Sequence, residues 1–403
     1  MHHTFIVIAV LLLLGGCSST ATQCSAVNCA GCCDASGQCR AGDTGEACGS
    51  GALSCNTCSG GQVCTEKRCV QVADAGVPLD AGMPITTSLE RWIWAGFPDS
   101  ACGNGAPTGI GINATNRSKD VFIYLQGGGA CWNALTCAFA ASNLTTGYGE
   151  ADFIADPTRG AAPFNRAVAT NPFKDMSFVF VPYCTGDVHA GDNVMNYPAA
   201  GTQVPARTVH HKGAKNLDAF LVRLHDTFPD ATRVFLVGSS AGAFGAQLNY
   251  QRVAAAWPAT EVHLLADCGQ FVNPSGTLLA EWRAAWNLPS APGCTGCDTD
   301  LSLFPKYLHD SAPTRRFGLL AYTQDGTLRQ FAGYDGPTYE QLTRSLASSA
   351  YDSTMNGKYF MVAGSSHVML GDLQTLQGPQ NTSLLSWVQA FVSGSPTWQS
   401  VKP

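Results

Sequence analysis

Apolar runs of four to six residues recur along most of the chain and end in glycine, proline or a polar residue: Val121–Leu125, Ser177–Val181, Val234–Val237, Val262–Ala266, Phe317–Tyr322 and Tyr359–Val362. They are rich in β-branched and aromatic residues and do not alternate with polar ones, which predicts strands buried on both faces. Between them lie stretches of helical character. Asn216–Phe228 precedes the third run, and Ala243–Trp257 follows it with Phe244, Leu248 and Val253 available for one apolar face. Strand, loop and helix in succession predict an α/β fold with a mostly parallel central sheet flanked by helices. Ligand sites in such sheets lie beyond the carboxyl ends of the strands, so polar residues just after each apolar run are the candidates for chemistry.

The first 88 residues follow a different pattern. Phe5–Leu14 is an apolar stretch too short to span a bilayer but suited to the core of a signal peptide, expected over residues 1–16. Leu14-Gly15-Gly16-Cys17 resembles a bacterial lipobox, which implies lipidation of Cys17 and membrane attachment through it, although only His2 and His3 stand where Lys or Arg is usual. A secretory signal cut near Ala21 is the alternative. Ten cysteines from Cys24 to Cys69 sit among Gly, Ser, Ala and Thr with almost no large apolar residues. Such a segment cannot fold by burial alone, and cross-links that restrict its unfolded state must compensate. Residues 17–70 are therefore expected to be a disulfide-rich module. The Cys29-x-x-Cys32 and Cys55-x-x-Cys58 spacings would also suit zinc, but exported thiols oxidise. Residues 71–88, with Pro78 and Pro84 and no hydrophobic period, read as a linker to a domain over 89–403, in which Trp92 and Trp94 are early apolar anchors.

Composition sharpens this picture modestly. With 45% hydrophobic and 13% charged residues, 43 glycines and 21 prolines, the 403-residue chain suits a globular extracellular protein rich in turns. Its net charge of -6 provides neither a footprint for nucleic acid nor a polybasic membrane patch. Seven of the 18 cysteines fall after residue 88, an odd number that leaves at least one thiol without a partner there. Cys131 with Cys137 and Cys294 with Cys297 are candidate local disulfides, the second pair close enough in sequence that it could equally be unpaired.

The third strand ends in Gly238-Ser239-Ser240-Ala241-Gly242, and small residues about a serine on a strand-to-helix turn are what a nucleophile elbow requires. Ser240 is the candidate nucleophile. It needs a base within hydrogen-bond reach and an acid to orient that base, and in α/β-hydrolases these follow the serine in the order acid, then histidine. Of the later histidines, His263 lies inside an apolar strand and His309 in a helical or surface segment, whereas His367 follows a strand in a Gly-Ser-Ser loop. His367 is the expected base. Asp325, after the strand ending at Tyr322, is the expected acid; Asp335 and Asp352 are later alternatives. Gly127-Gly128-Gly129 can offer backbone N–H groups to an oxyanion, completed by the N–H of Ala241.

Leu125-Gln126-Gly127-Gly128-Gly129-Ala130-Cys131-Trp132, Tyr183-Cys184-Thr185-Gly186-Asp187 and the elbow together resemble motifs of the pectin acetylesterase family, which includes the animal Notum carboxylesterases. The resemblance spans roughly residues 89–392. It implies an α/β-hydrolase-like fold and ester hydrolysis by Ser240, Asp325 and His367, with Gly128, Gly129 and Ala241 as oxyanion donors and no metal or organic cofactor. Gln126 stands where the family has Glu and Ala130 where plant members have Trp, both expected at the acyl pocket. Trp132, Asp187 and His189 are candidate substrate contacts, Asp187 and His189 equally candidates for a structural role; as a metal pair they are too few. The expected function is deacylation, above all deacetylation, of an acylated extracellular polysaccharide by a secreted or outer-membrane or cell-surface enzyme. The alternatives are an esterase for longer acyl chains or polyesters, and a surface-binding lipoprotein that uses the hydrolase fold as a scaffold.

Overall fold

A computed structural model describes residues 24–25, 28–50, 52–58, 62–65, 67–71 and 83–403. The expected signal peptide and Cys17 lie outside the described residues, as does most of the expected linker. The chain divides into two units, Met1–Leu79 and Asp80–Pro403.

In the first unit the strands are short: β1 (Cys32–Cys33) pairs with β2 (Cys39–Arg40), β3 (Asp43–Thr44) with β4 (Ala47–Cys48) and β5 (Gln62–Thr65) with β6 (Arg68–Gln71), all antiparallel. Disulfides Cys24–Cys33, Cys29–Cys39, Cys32–Cys55 and Cys48–Cys64 cross-link them. The cysteines whose spacing would suit zinc are thus consumed: Cys29 and Cys32 pair with different partners, and Cys55 and Cys58 are both oxidised.

The second unit runs β7 (Ile93–Phe97), β8 (Thr108–Asn113), β9 (Val121–Leu125), α1 (Ala134–Phe139), α2 (Glu150–Ala155), β10 (Ser177–Val181), β11 (Asn193–Tyr197), β12 (Arg207–His211) and α3 (Gly213–Thr227). It continues through β13 (Arg233–Ser239), α4 (Ala241–Leu248), α5 (Tyr250–Ala256), β14 (Glu261–Asp267), α6 (Leu278–Trp286), α7 (Phe304–Ser311), β15 (Phe317–Tyr322), α8 (Leu328–Ala332), α9 (Gly336–Leu346), β16 (Gly357–Val362) and α10 (Leu384–Ser393). Eight strands form one sheet in the order β16-β15-β14-β13-β9-β10-β8-β7. The six from β16 to β10 are mutually parallel, and β8 alone runs against its neighbours. This is the mostly parallel sheet that the apolar runs predict, in keeping with the α/β-hydrolase-like fold that the resemblance implies.

Alternation along the central strands assigns side chains to the two faces. Val121, Ile123, Leu125, Val179, Val181, Val234 and Leu236 enter one core with residues of α3, α5 and α6, whereas Phe122, Tyr124, Phe178, Phe180 and Phe235 enter the other with α10. One face is aliphatic and the other aromatic, and Trp92 and Trp94 join the aromatic side through Phe153. From β9 the chain passes outward to β10, and from β13 outward the opposite way to β14. The strand order therefore reverses between β9 and β13, where such sheets open a crevice at their carboxyl ends.

One expectation is corrected, and two strands were not foreseen. The helix anticipated over Ala243–Trp257 is two helices, because Asn249 turns its amide inward to donate to the carbonyls of His189 (2.9 Å) and Gly245 (2.9 Å). Strands β7 and β8 escape the pattern because Gly96, Gly109 and Gly111 interrupt their apolar runs.

Candidate active site

The elbow sits at the crevice. Ser240 has φ 56° and ψ −124°, a strained conformation for a non-glycine residue, and caps the start of α4. Its neighbours must be small: a Cβ on Gly242 would lie 1.9 Å from the carbonyl oxygen of Leu125, and one on Gly238 2.1 Å from that of Gly242. Helix α4 can approach β9 and β13 only because both Cβ atoms are missing, and Ser240 is thereby raised above the sheet.

Loops after β15 and β16 deliver the other two groups. His367 Nε2 lies 2.8 Å from Ser240 Oγ, and His367 Nδ1 lies 2.8 Å from Asp325 Oδ2. With the ring proton on Nδ1, where Asp325 accepts it, Nε2 is left to accept the serine proton. Asp325 is fully buried, and its Oδ1 accepts the N–H groups of Thr327 (3.0 Å) and Leu328 (2.9 Å), which fixes the carboxylate. The other candidates are engaged elsewhere. Asp335 caps α9 by accepting from Thr338 N (2.8 Å), and Asp352 pairs with Lys402 (2.8 Å). His263 is buried in β14, where desolvation and nearby arginines push its pKa down to about 3; burial pushes His309, in α7, down to about 4.

The glycine loop lies against the elbow, so close that a Cβ on Gly127 would sit 2.9 Å from the Ser240 Cβ. Among the described residues no group accepts a hydrogen bond from the amides of Gly128, Gly129 or Ala241, and a helix's first amide has no intrahelical partner in any case. Three free donors thus border the serine.

Gln126 does not line the cleft, contrary to expectation. Its Oε1 accepts from Tyr183 N (3.1 Å) and its Nε2 donates to Asp156 Oδ2 (2.9 Å), a place where glutamate would meet a second carboxylate. Asp187 and His189, expected in a structural or a substrate-facing role, both make buried hydrogen bonds that tie loops together. Buried Asp187 accepts from the Thr185 hydroxyl (2.5 Å) and from Gly213 N (2.8 Å) at the start of α3. His189 Nε2 donates to the carbonyl of Gln126 (2.8 Å), and desolvation lowers its pKa, which keeps the ring neutral beneath the glycine loop.

Beside Ser240 a narrow cleft with a volume of about 50 Å³ is walled by Phe244, Leu279, Trp282, Trp286, Leu328 and Phe331, with Gly129, Ala130 and Ala241 at the serine. Trp132 stands behind this wall, its ring 5.6 Å from that of Trp282 and 6.1 Å from that of Phe331. Sequence reasoning missed the walls from α6 and α8, because an apolar cleft lining and a helix's core face have one and the same pattern. It also passed over Asp267, which ends a strand as Asp325 follows one.

Cys131 pairs with Cys137 and Cys294 with Cys297; the unanticipated Cys102–Cys184 bridge leaves Cys268 as the free, buried thiol.

Residues 95–284 match the pectinacetylesterase family model. The palmitoleoyl-protein carboxylesterases NOTUM of Mus musculus and Homo sapiens are each 28% identical to the chain over 182 residues, 43% of this chain and 34% of theirs. That of Schmidtea mediterranea is 29% identical over 167 residues, 39% of this chain and 29% of its own. The alignments thus span about a third of the length of these relatives, and the family match stops before Asp325 and His367. Over residues 95–284 the chain is thus similar to the pectinacetylesterase family, the resemblance that its motifs led us to expect.

Proposed function

We propose that this protein is an exported serine esterase that cleaves carboxylic esters through an acyl-enzyme. The observation that carries the reading is the relay of two 2.8 Å contacts from Ser240 Oγ through His367 to Asp325. Ser240 Oγ attacks the ester carbonyl as His367 Nε2 takes its proton, and the buried Asp325 carboxylate stabilises the imidazolium. The negative charge that develops on the carbonyl oxygen is met by the free amides of Gly128, Gly129 and Ala241. Collapse of this intermediate breaks the ester bond, and His367 returns the proton to the leaving alcohol. A water molecule, deprotonated by the same ring, then attacks the acyl-serine and releases the acid. Disulfides in both units suit an oxidising compartment and so support export.

The family resemblance leads to acetyl groups on polysaccharide. The cleft favours the longer-chain alternative: an acetyl methyl needs only a shallow hollow, whereas each methylene buried in an aromatic-walled cleft contributes about 0.8 kcal/mol. Hydrolysis of p-nitrophenyl esters from acetate to decanoate by wild type and Ser240→Ala, with fluorophosphonate labelling of both, tests the two levels of the reading. We expect kcat/KM to rise with chain length and both turnover and labelling to vanish in the variant. Undiminished turnover by Ser240→Ala would refute the serine mechanism; a maximum at acetate would refute the acyl assignment alone.

A further inference from the structure

The loop that aims His367 does not hold its shape unaided. Val368 has φ +59°, a left-handed conformation that a β-branched residue rarely adopts, so surrounding contacts must enforce it. Three successive amides after His367 end on the carboxyl end of β14: Val368 N donates to Cys268 Sγ (3.2 Å), Met369 N to Asp267 Oδ1 (2.7 Å) and Leu370 N to Asp267 Oδ2 (3.1 Å). Oδ2 of the same carboxylate also accepts the hydroxyl of Ser239 (2.7 Å), and the Asp267 carbonyl accepts the N–H of Ser240 (2.8 Å). One residue therefore grips the nucleophile's elbow and the base's loop at once. Asp267 is completely buried, and burial raises its pKa; the donors on both oxygens offset that rise only in part.

We propose that Asp267, assisted by Cys268, is a positioning residue that holds Val368 left-handed and so keeps His367 Nε2 on Ser240 Oγ. Neither side chain belongs to the triad. Asp267 acts at the proton transfer and not at substrate binding, a kinetic consequence that rests on the esterase reading above. Replacing the carboxylate by an amide puts an N–H donor where an acceptor is needed, freeing at least one loop amide. Glycine at position 368 takes the left-handed conformation without steric penalty and should lessen the need for the clamp.

The experiment compares wild type, Asp267→Asn, Val368→Gly and the double variant by steady-state kinetics and by amide hydrogen exchange over residues 366–372, with thermal melting as the control for folding. For Asp267→Asn we expect kcat to fall about a hundredfold with KM within about twofold, the scale of a reacting group misplaced by about 1 Å. Exchange in the loop should quicken about tenfold, and adding Val368→Gly should restore about tenfold in kcat. Wild-type kcat in Asp267→Asn, a loss that appears in KM, or no recovery in the double variant would overturn the proposal, as would unchanged exchange. If Asp267→Asn does not fold, Cys268→Ala is put through the same comparisons with the same expected directions and the same overturning results. Exchange needs no turnover: were wild type inert towards every ester and unlabelled by fluorophosphonate, the functional reading would fail while exchange still decided the clamp.

Discussion

At the scale of single residues, the choice of acid partner tests the relay most directly. Of the three candidate acids Asp325, Asp335 and Asp352, only Asp325 combines complete burial, two backbone donors on one oxygen and the imidazole on the other. Asp325→Asn should leave the fold intact and lower kcat by about ten-thousandfold, because an amide that donates to Nδ1 would put the ring proton on Nε2, where it cannot accept from serine. Asp335→Asn and Asp352→Asn should leave kcat within about twofold. Steady-state kinetics on the three variants decides the matter, and equal losses in all of them would dismiss Asp325. The serine and histidine were legible because each has a local signature, a tight glycine-flanked turn and a flexible loop past a strand. The acid was less so, since Gln324-Asp325-Gly326 is an ordinary turn sequence and the partner that gives it meaning lies 42 residues further on. Gln126 was misplaced, and Asp187 and His189 were left between two roles, for a related reason. A polar residue at a strand's end can face the crevice or tie loops together beneath it, and only tertiary packing distinguishes the two.

At the scale of elements, the cleft is a product of what α4, α6 and α8 bring over the carboxyl ends of β9 and β13. Ala130 is the small residue where the glycine loop meets that cleft, and bulk there should shorten the space available to an acyl chain. Ala130→Trp, the residue that plant members of the family carry at this place, should lower the octanoate-to-acetate ratio of kcat/KM by about tenfold or more while acetate turnover changes little. An acyl-length series on the variant, with melting curves to exclude loss of fold, is the measurement; an unaltered ratio would show that the acyl chain lies elsewhere. The parallel strands were readable because burial on both faces leaves a continuous apolar run, a signal that survives without any knowledge of neighbours. Strands β7 and β8 were not, since glycines thin their pattern, and neither was the β11–β12 hairpin, whose Asn193–Tyr197 and Arg207–His211 strands carry mixed polar sequence. The break at Asn249 was also hidden, because it depends on the carbonyl of His189, 60 residues away in sequence.

For the whole molecule, the buried histidines set how the fold meets acid. His263 and His309 take no part in the proposed chemistry and are held neutral, His263 by desolvation reinforced by Arg316, Arg233 and Arg315, and His309 by desolvation. Their pKa values of about 3 and about 4 lie below the ordinary 6.5, so the folded state refuses protons that the unfolded chain accepts. Stability linked to these two groups is therefore fully present above about pH 6.5 and is lost as pH falls towards 4, at up to about 1.4 kcal/mol per pH unit for each. By pH 4.5 the two together should remove on the order of 5 kcal/mol, a large share of the 5–15 kcal/mol typical of a folded domain. His309 Nδ1 lies 3.1 Å from the carbonyl of Ala350, a contact that a glutamine amide could replace without titrating. Urea denaturation of wild type and His309→Gln at several pH values between 7.5 and 4.5 should show stability falling in both, with a slope in the variant reduced by about half of the histidine contribution. Parallel curves would mean that other groups carry the acid sensitivity and that His309 titrates in the folded protein much as it does in the open chain.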